Sequence, residues 1–326
     1  MKRLFVTYAA LILAFSTYFY YYQSSEKILQ RNGTASLSES LDEKYVMVTF
    51  QAGIDYWKPA IKGFEDAAEK LGVSVEYRGA PQVDAYEQIT VLEQVIARKP
   101  AGIAISAVDA ERLNPTIKQA IKANIPVVLF DADAPKSGAA SFLGTHNKEA
   151  GAEAAHKLAA LMKEKGETAV ITAPGQLNLT ERTEGFVQAI KQNYPYMKVV
   201  AIENGERDEK AAKRAVLGLL KKHPNVDGFF STEANAGAGI VQAARSSGRD
   251  IKVVGFDTYK STLDLIEAGE MDATIAQGTW EMGYRSLHFL VQLHQKPNSS
   301  IPARVNTGVT VVTRDNAASY YAWQRN

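Results

Sequence analysis

The sequence predicts an α/β protein of two lobes, each a doubly wound parallel sheet with helices on both faces. Three observations predict it. From Tyr45 onward, short β-rich runs alternate with amphipathic helical runs, and strands separated by helix-length connections pair in parallel. About ten such alternations exceed one sheet of the usual size. A chain of 326 residues is also long enough for two domains, each with its own core.

The elements follow in order. Tyr45–Phe50 reads as a strand, and Lys58–Leu71 as a helix with Ile61, Phe64, Ala68 and Leu71 on one face. Val73–Tyr77 is the next strand. Asp84 is placed to cap a helix, with Glu87 three residues later at capping-box spacing. Ile103–Ser106, a helix near Leu113–Ala123 and Ile125–Phe130 continue the series. It restarts after Asn147, with a helix to Lys165, strand Thr168–Ala173, a helix near Thr183–Asn193 and strand Lys198–Ile202. Asp208–Lys222, Val226–Phe230, Ala234–Ser247 and Ile251–Gly255 follow.

Ahead of this lies a different kind of segment. Met1-Lys2-Arg3 precedes an apolar run from Leu4 to Tyr22, which as a helix reaches roughly 28 Å, about one bilayer core. Its far end, Tyr18-Phe19-Tyr20-Tyr21-Tyr22, is the kind of aromatic cluster that sits at a membrane interface, and Lys2 and Arg3 favour an inside N-terminus. The expectation is an uncleaved signal-anchor over residues 1–22 and a polar tether over 23–43, on the outer face of the cytoplasmic membrane. A cleaved signal peptide is the alternative, although Ala14-Phe15-Ser16 matches a cleavage site poorly and precedes the aromatics.

Composition narrows the function. Apolar residues make up 46% and charged residues 22%, a globular balance. The net charge of +1, with both signs mixed along the chain, offers no footprint for nucleic acid. The absence of cysteine excludes disulfides, thiolate metal sites, a catalytic thiol and lipid attachment through Cys. No cofactor or metal site is expected.

In such sheets ligands bind beyond the carboxyl ends of the strands, and two facing lobes can share one cleft. The residues after each strand run are therefore the candidates. They are Tyr56 and Trp57; the pair Asp131 and Asp133; Arg182; Glu233 and Asn235; Asp257; and Gln277. Position alone leaves Tyr56 and Trp57 equally open to core packing, and Asp, Ser and Asn at such turns are often helix caps. As a set, carboxylates, a guanidinium, amides and aromatics suit a neutral polyhydroxyl ligand. Charged groups bond hydroxyls at roughly 1.5–3 kcal/mol each, while aromatic faces cover the C–H side of a pyranose.

With these residues in view, the chain resembles the type I periplasmic sugar-binding proteins of the ribose/galactose-binding group, over about residues 44–315. The resemblance rests on ordered segments: Tyr56-Trp57 then Gly63-Phe64, Asn124 to Val128 ending in Asp131, Asn147 to Gly151, Glu181 to Phe186, Val253 to Asp257, and Thr274 to Gln277. It implies stacking by Tyr56 and Trp57, hydroxyl binding by Asp131, Asp257, Arg182 and Gln277, and a peripheral or hinge role for Ser106 and Thr145. Three departures bear on which sugar is bound. Glu233 stands where the family has a binding asparagine, Ile54 replaces a first-loop asparagine, and Ala132 replaces an arginine. The family also implies three crossovers, near Thr145, Gln277 and Thr307. The first lobe is then 44–145 plus 279–307, and the second 146–277 plus 308–326.

Two rival functions find little in the sequence. For an enzyme, the five histidines are scattered, no Gly-x-Ser-x-Gly occurs, and Asp131 and Asp133 lack an opposed geometry. For a repressor of the same core, an apolar segment occupies the place of a DNA-binding helix-turn-helix. The expected receptor binds a monosaccharide and presents its closed form to a membrane partner, a sensor histidine kinase or an ABC sugar permease. The anchor weighs at least as much toward the kinase.

Overall fold

Twelve strands, ten α-helices and one 3-10 turn (Asp55–Trp57) build residues 44–321, the part of the chain that the computed structural model describes. The expected anchor and tether lie outside these residues, and no helix within them is long and apolar enough to cross a membrane. The strands come in three runs. The first is β1 (Lys44–Thr49), β2 (Ser74–Gly79), β3 (Gly102–Ile105), β4 (Val127–Phe130) and β5 (Ser141–Gly144). The second is β6 (Lys165–Thr172), β7 (Tyr196–Asn204), β8 (Val226–Ser231), β9 (Lys252–Phe256) and β10 (Ala273–Gln277). Last come β11 (Arg304–Asn306) and β12 (Val309–Val312).

They form two six-stranded sheets, ordered β11-β5-β4-β3-β1-β2 and β12-β10-β9-β8-β6-β7. All pairings are parallel except β12 on β10, which is antiparallel. The doubly wound α/β class expected from the sequence is thus the observed fold. β3 and β4 are buried at every residue, as central strands covered on both faces must be, and each sheet has an apolar cluster on either side.

The helices are α1 (Lys58–Leu71), α2 (Ala85–Ala97), α3 (Ala110–Lys122), α4 (Asn147–Leu161) and α5 (Leu177–Asn193). They continue with α6 (Glu209–Lys222), α7 (Ala234–Ser247), α8 (Lys260–Glu267), α9 (Thr279–Gln295) and α10 (Ala317–Tyr320). Asp84 caps α2 as expected, accepting from the backbone N–H of Tyr86 and Glu87 at 2.8 and 3.0 Å. Glu87 does not complete a capping box: it accepts from Gln82 N instead, at 3.1 Å. α1 starts beside Pro59 and stops at Gly72, whose φ of 68° supplies the left-handed cap.

Three sequence expectations shift. The buried face of α1 is Ala60, Gly63, Phe64, Ala67 and Ala68, leaving Ile61 and Leu71 half-buried. The cause is α9: a Cβ on Gly63 would lie 2.1 Å from Trp280 O, so only small residues fit that contact. α4 ends at Leu161, short of Lys165, because Lys163 and Glu164 take positive φ and lead directly into β6. The helix near Thr183 begins six residues earlier, at Leu177.

The chain passes between the sheets three times: after β5, after β10, and between β11 and β12. Thr145, Gln277 and Thr307 stand at these passages. Thr145 Oγ1 donates to Gln277 Oε1 at 2.7 Å, and Thr307 N donates to Gly144 O at 3.0 Å.

Candidate functional site

The carboxyl ends of β4 and β9 face one cleft, and each strand is followed by an aspartate in a left-handed conformation: Asp131 at φ 61° and Asp257 at φ 64°. Such φ values are uncommon for residues other than glycine and mark functional positions often enough to be followed up. Each backbone is fixed from the neighbouring strand, Asp131 N donating to Leu143 O at 2.9 Å and Asp257 N to Ile275 O at 2.8 Å. The left-handed turn swings the carboxylates over the sheet ends, into a cavity of about 720 Å³ with its open mouth included.

Gln277 joins the two aspartates. Its Nε2 donates to Asp257 Oδ1 at 2.8 Å and to the Tyr56 hydroxyl at 2.9 Å. Tyr56 in turn donates to Asp131 in a short hydrogen bond, and buried Ser106 donates to the other oxygen of Asp131 at 3.1 Å. Arg182, buried on α5, braces the centre. It donates to Asn147 Oδ1 at 2.9 Å, to Thr232 O at 3.0 Å and to Gln277 Oε1 at 3.1 Å, and lies 3.7 Å from the ring centroid of Phe256.

Burial dominates the electrostatics. It pushes the Asp257 carboxyl up to about 6, against the pull of Arg182 and the hydrogen bond from Gln277. Asp131 is raised by the same desolvation, opposed by Tyr56, Arg182 and Ser106. Burial, reinforced by the charges of Asp131 and Asp257, holds the Tyr56 phenol well above its usual range. Glu233 is raised by desolvation, offset by the backbone N–H groups of Asn235 and Ala236 that it caps at 2.8 Å each.

Tyr56, Asp131, Arg182, Glu233, Asn235, Asp257 and Gln277 therefore line one cavity. Ile54 and Ala132, the two first-lobe departures from the family pattern, line it as well. Three candidates stand elsewhere. Trp57 is 0% exposed, packed edge-to-face on Phe50, Tyr56 and Phe130, so its ring presents no face to the cleft and belongs to the core. Ser106 reaches the cavity only through Asp131. Asp133 pairs with Arg304 at 2.6 Å on the wall of a neighbouring cavity that also touches Asp131.

Sequence reasoning missed Phe50, Gln51, Asn178, Arg207 and Tyr259, which also line the cavity. Tyr259 was within reach of the strand-end rule, two residues beyond Asp257, and its ring edge meets Tyr56 at 6.3 Å. Arg207 follows β7 in the loop Gly205-Glu206-Arg207-Asp208, whose charged residues read from sequence as an ordinary solvated turn ahead of the Asp208 helix cap.

No nucleophile–base pair faces the cavity among the described residues, and none of their His, Asp and Glu residues form a group that could hold a metal ion. What the cavity offers is an array of acceptors and donors with an aromatic edge, suited to holding a ligand by its hydroxyls.

Known proteins share this fold. Residues 45–297 match the family model described as Periplasmic binding protein domain. The chain is similar to AraP, an arabinose-binding protein from Geobacillus stearothermophilus, with 56% identity and a TM-score of 0.83 over 86% of this chain and 99% of that one. A sugar-binding protein of a sugar ABC transporter from Bacillus halodurans is 50% identical, also at 0.83, over 86% of this chain and 100% of that one. The D-allose-binding periplasmic protein of Escherichia coli (strain K12) is 28% identical, over 79% of this chain and 86% of its own length. The chain belongs to the type I periplasmic sugar-binding family, the extracytoplasmic solute-binding proteins of ABC transporters, and it is a binding protein, not an enzyme.

Proposed function

We propose that the chain binds a neutral monosaccharide, an aldopentose of the arabinose kind, between its lobes and hands it to an ABC sugar permease. One observation carries the proposal: Asp131 and Asp257, one from each sheet, converge on one cavity through Gln277 and Tyr56. Neither lobe alone surrounds the ligand, so binding favours the closed arrangement. The lobes are 44–145 plus 279–307 and 146–277 plus 308–326, with Thr145, Gln277 and Thr307 as the hinge. Tyr56, Asp131, Arg182, Glu233, Asn235, Asp257 and Gln277 are the ligand contacts.

Arabinose is favoured because AraP, bearing that name, is 56% identical over nearly its whole length. Transport is favoured over signalling because relatives are named for ABC transport and for import. The sensor-kinase output rests on the anchor argument alone. Anchoring through residues 1–22 is a separate part of the proposal, and membrane fractionation with intact-mass measurement decides it.

Calorimetry with arabinose, ribose, allose and galactose tests the ligand, and small-angle scattering with and without the tightest binder tests closure. Compaction on binding an unaltered sugar is expected. Chemical turnover of the sugar, or no binding of either aldopentose, arabinose or ribose, overturns the reading.

A further inference from the structure

Two arginines line the cavity, and they are held very differently. Arg182 has its donors committed to Asn147, Thr232 and Gln277, so it works as a strut between elements. Arg207 is half-buried on the same cavity wall, yet among the described residues no hydrogen bond or ion pair holds its guanidinium. Its main chain, by contrast, is closely defined. Gly205 N donates to Thr172 O at 2.7 Å, Glu206 N donates to Asn204 Oδ1 at 2.8 Å, and Asp208 caps α6 through Ala211 N at 2.8 Å. Between these ties Glu206 and Arg207 both sit at φ 54°, a pair of left-handed residues where neither is glycine.

Glu233 is the carboxylate that Arg207 feels most, and burial disfavours the charge on both. Each carboxylate oxygen of Glu233 accepts one backbone N–H, from Asn235 and from Ala236, which leaves a lone pair on each for a further donor. The wall of the second lobe thus holds five guanidinium donors without acceptors beside a carboxylate with spare acceptance. A hydroxyl is both donor and acceptor, so adjacent hydroxyls satisfy both groups at once.

We propose that Arg207 is a specificity-determining ligand contact: its guanidinium donates to one hydroxyl of the sugar while Glu233 accepts from the neighbouring one. The second-lobe wall then reads a vicinal diol. This rests on the sugar-binding reading above and goes beyond it by naming which part of the sugar the charged wall selects.

The test is calorimetry on the full-length protein with arabinose and its monodeoxy analogues, comparing the parent with Arg207→Met and Arg207→Lys. Arg207→Met should weaken arabinose binding about 10- to 100-fold, the range expected for one lost charge-assisted bond. For the analogue lacking the hydroxyl that Arg207 contacts, the same substitution should cost no more than about threefold. Arg207→Lys, which keeps a donor, should recover part of the loss, and melting curves taken alongside separate binding from folding. If Arg207→Met binds arabinose as the parent does, or weakens every analogue equally, the inference is overturned. A parent that binds no aldopentose overturns the functional reading and this inference with it, so the two failures are distinguishable.

Discussion

In the first sheet the order β11-β5-β4-β3-β1-β2 corresponds strand for strand to β12-β10-β9-β8-β6-β7 in the second. The correspondence reaches single residues. Asp131 and Asp257 follow matching strands with the same left-handed φ. Gly63 on α1 lies against α9 as Gly185 on α5 lies against α4: an added Cβ would stand 2.1 Å from Trp280 O and 1.9 Å from Lys148 O, respectively. The reciprocal glycines, Gly283 and Gly151, would meet Ala60 O at 1.9 Å and Arg182 O at 2.0 Å. Those contacts pair Ala60 with Arg182, and there the two lobes part. In the first, Trp57 packs on Phe130 and carries Tyr56 to the cavity. In the second, Arg182 itself lies over the matching Phe256. The frame repeats while the chemistry does not: Tyr56 stands beside Asp131 on the first wall, and Arg182 and Arg207 stand among Glu233, Asp257 and Tyr259 on the second.

The largest expected effects break the two cores at matching points. Trp57 and Leu179 both lie at the start of the helix after the first strand of their sheet, and both are buried. Trp57→Ala should cost about 3–5 kcal/mol of stability and Leu179→Ala about 2–5 kcal/mol. Denaturant unfolding reads both. A Trp57→Ala protein that keeps its stability but loses sugar would return Trp57 to the binding site and undo its assignment to the core.

The glycine pairs give the next effect, and its sign is the informative part. In a helix interior with open space for the methyl, Gly→Ala stabilises by about 1 kcal/mol, as expected for half-buried Gly218, which has nothing within 4 Å of an added Cβ. Gly63→Ala and Gly185→Ala should instead destabilise by about 1–3 kcal/mol each, because the methyl meets a backbone carbonyl on the facing helix. Equal losses in thermal melts would support the equivalence of the lobes. A gain at either glycine would show that its helices can separate at no cost.

Asp131→Asn and Asp257→Asn should each weaken sugar binding about 10- to 100-fold, or about 1.4–2.7 kcal/mol. Their effects on the ligand-free protein should differ. Asp131 accepts side-chain hydrogen bonds from Tyr56 and Ser106, whereas among the described residues the Asp257 side chain accepts one, from Gln277. Asp257→Asn should therefore raise the melting temperature at pH 7 by relieving a buried charge, and Asp131→Asn should not.

How far the sequence could be read follows the same asymmetry. The alternation of buried strands and amphipathic helices revealed the doubly wound class, and the strand-end rule found the cavity residues that close a strand or begin the next helix. β5, β11 and β12 went unread although β3 and β4 are as short: those two are continuously apolar and each follows a helix, whereas β5 and β11 mix polar with apolar residues and β12 follows β11 with no helix between. Trp57 could not be assigned because one turn of 3-10 helix decides which of two adjacent aromatics faces inward. Arg207 escaped because its place in the cleft depends on two successive left-handed residues, which no composition signal announces.

The smallest expected effect is a pH dependence of binding, and it belongs to the second wall. Asp257 faces Arg182, Gln277, Asp131 and Glu233, and burial brings its carboxyl up to about 6 in the ligand-free protein. A carboxyl raised above its unfolded value near 3.9 binds more protons folded than unfolded. Its contribution to stability is therefore greatest below about pH 4, declines as pH rises toward 6, and is flat above. Ligand binding runs the other way. A sugar hydroxyl that donates to Asp257 favours the ionised form, so the bound state releases the proton that the free state holds. Affinity should be constant above about pH 7 and fall by up to tenfold per unit below 6, until the bound state itself takes up the proton. Calorimetry between pH 4.5 and 8 measures this, and Asp257→Asn should flatten the profile while Asp133→Asn, whose partner is Arg304 outside the main cavity, should leave it unchanged. A profile that stays sloped in Asp257→Asn would move the titrating group to Asp131 or Glu233, both also raised by burial, and would make the first wall, or the diol-reading corner, the part of the site that senses protons.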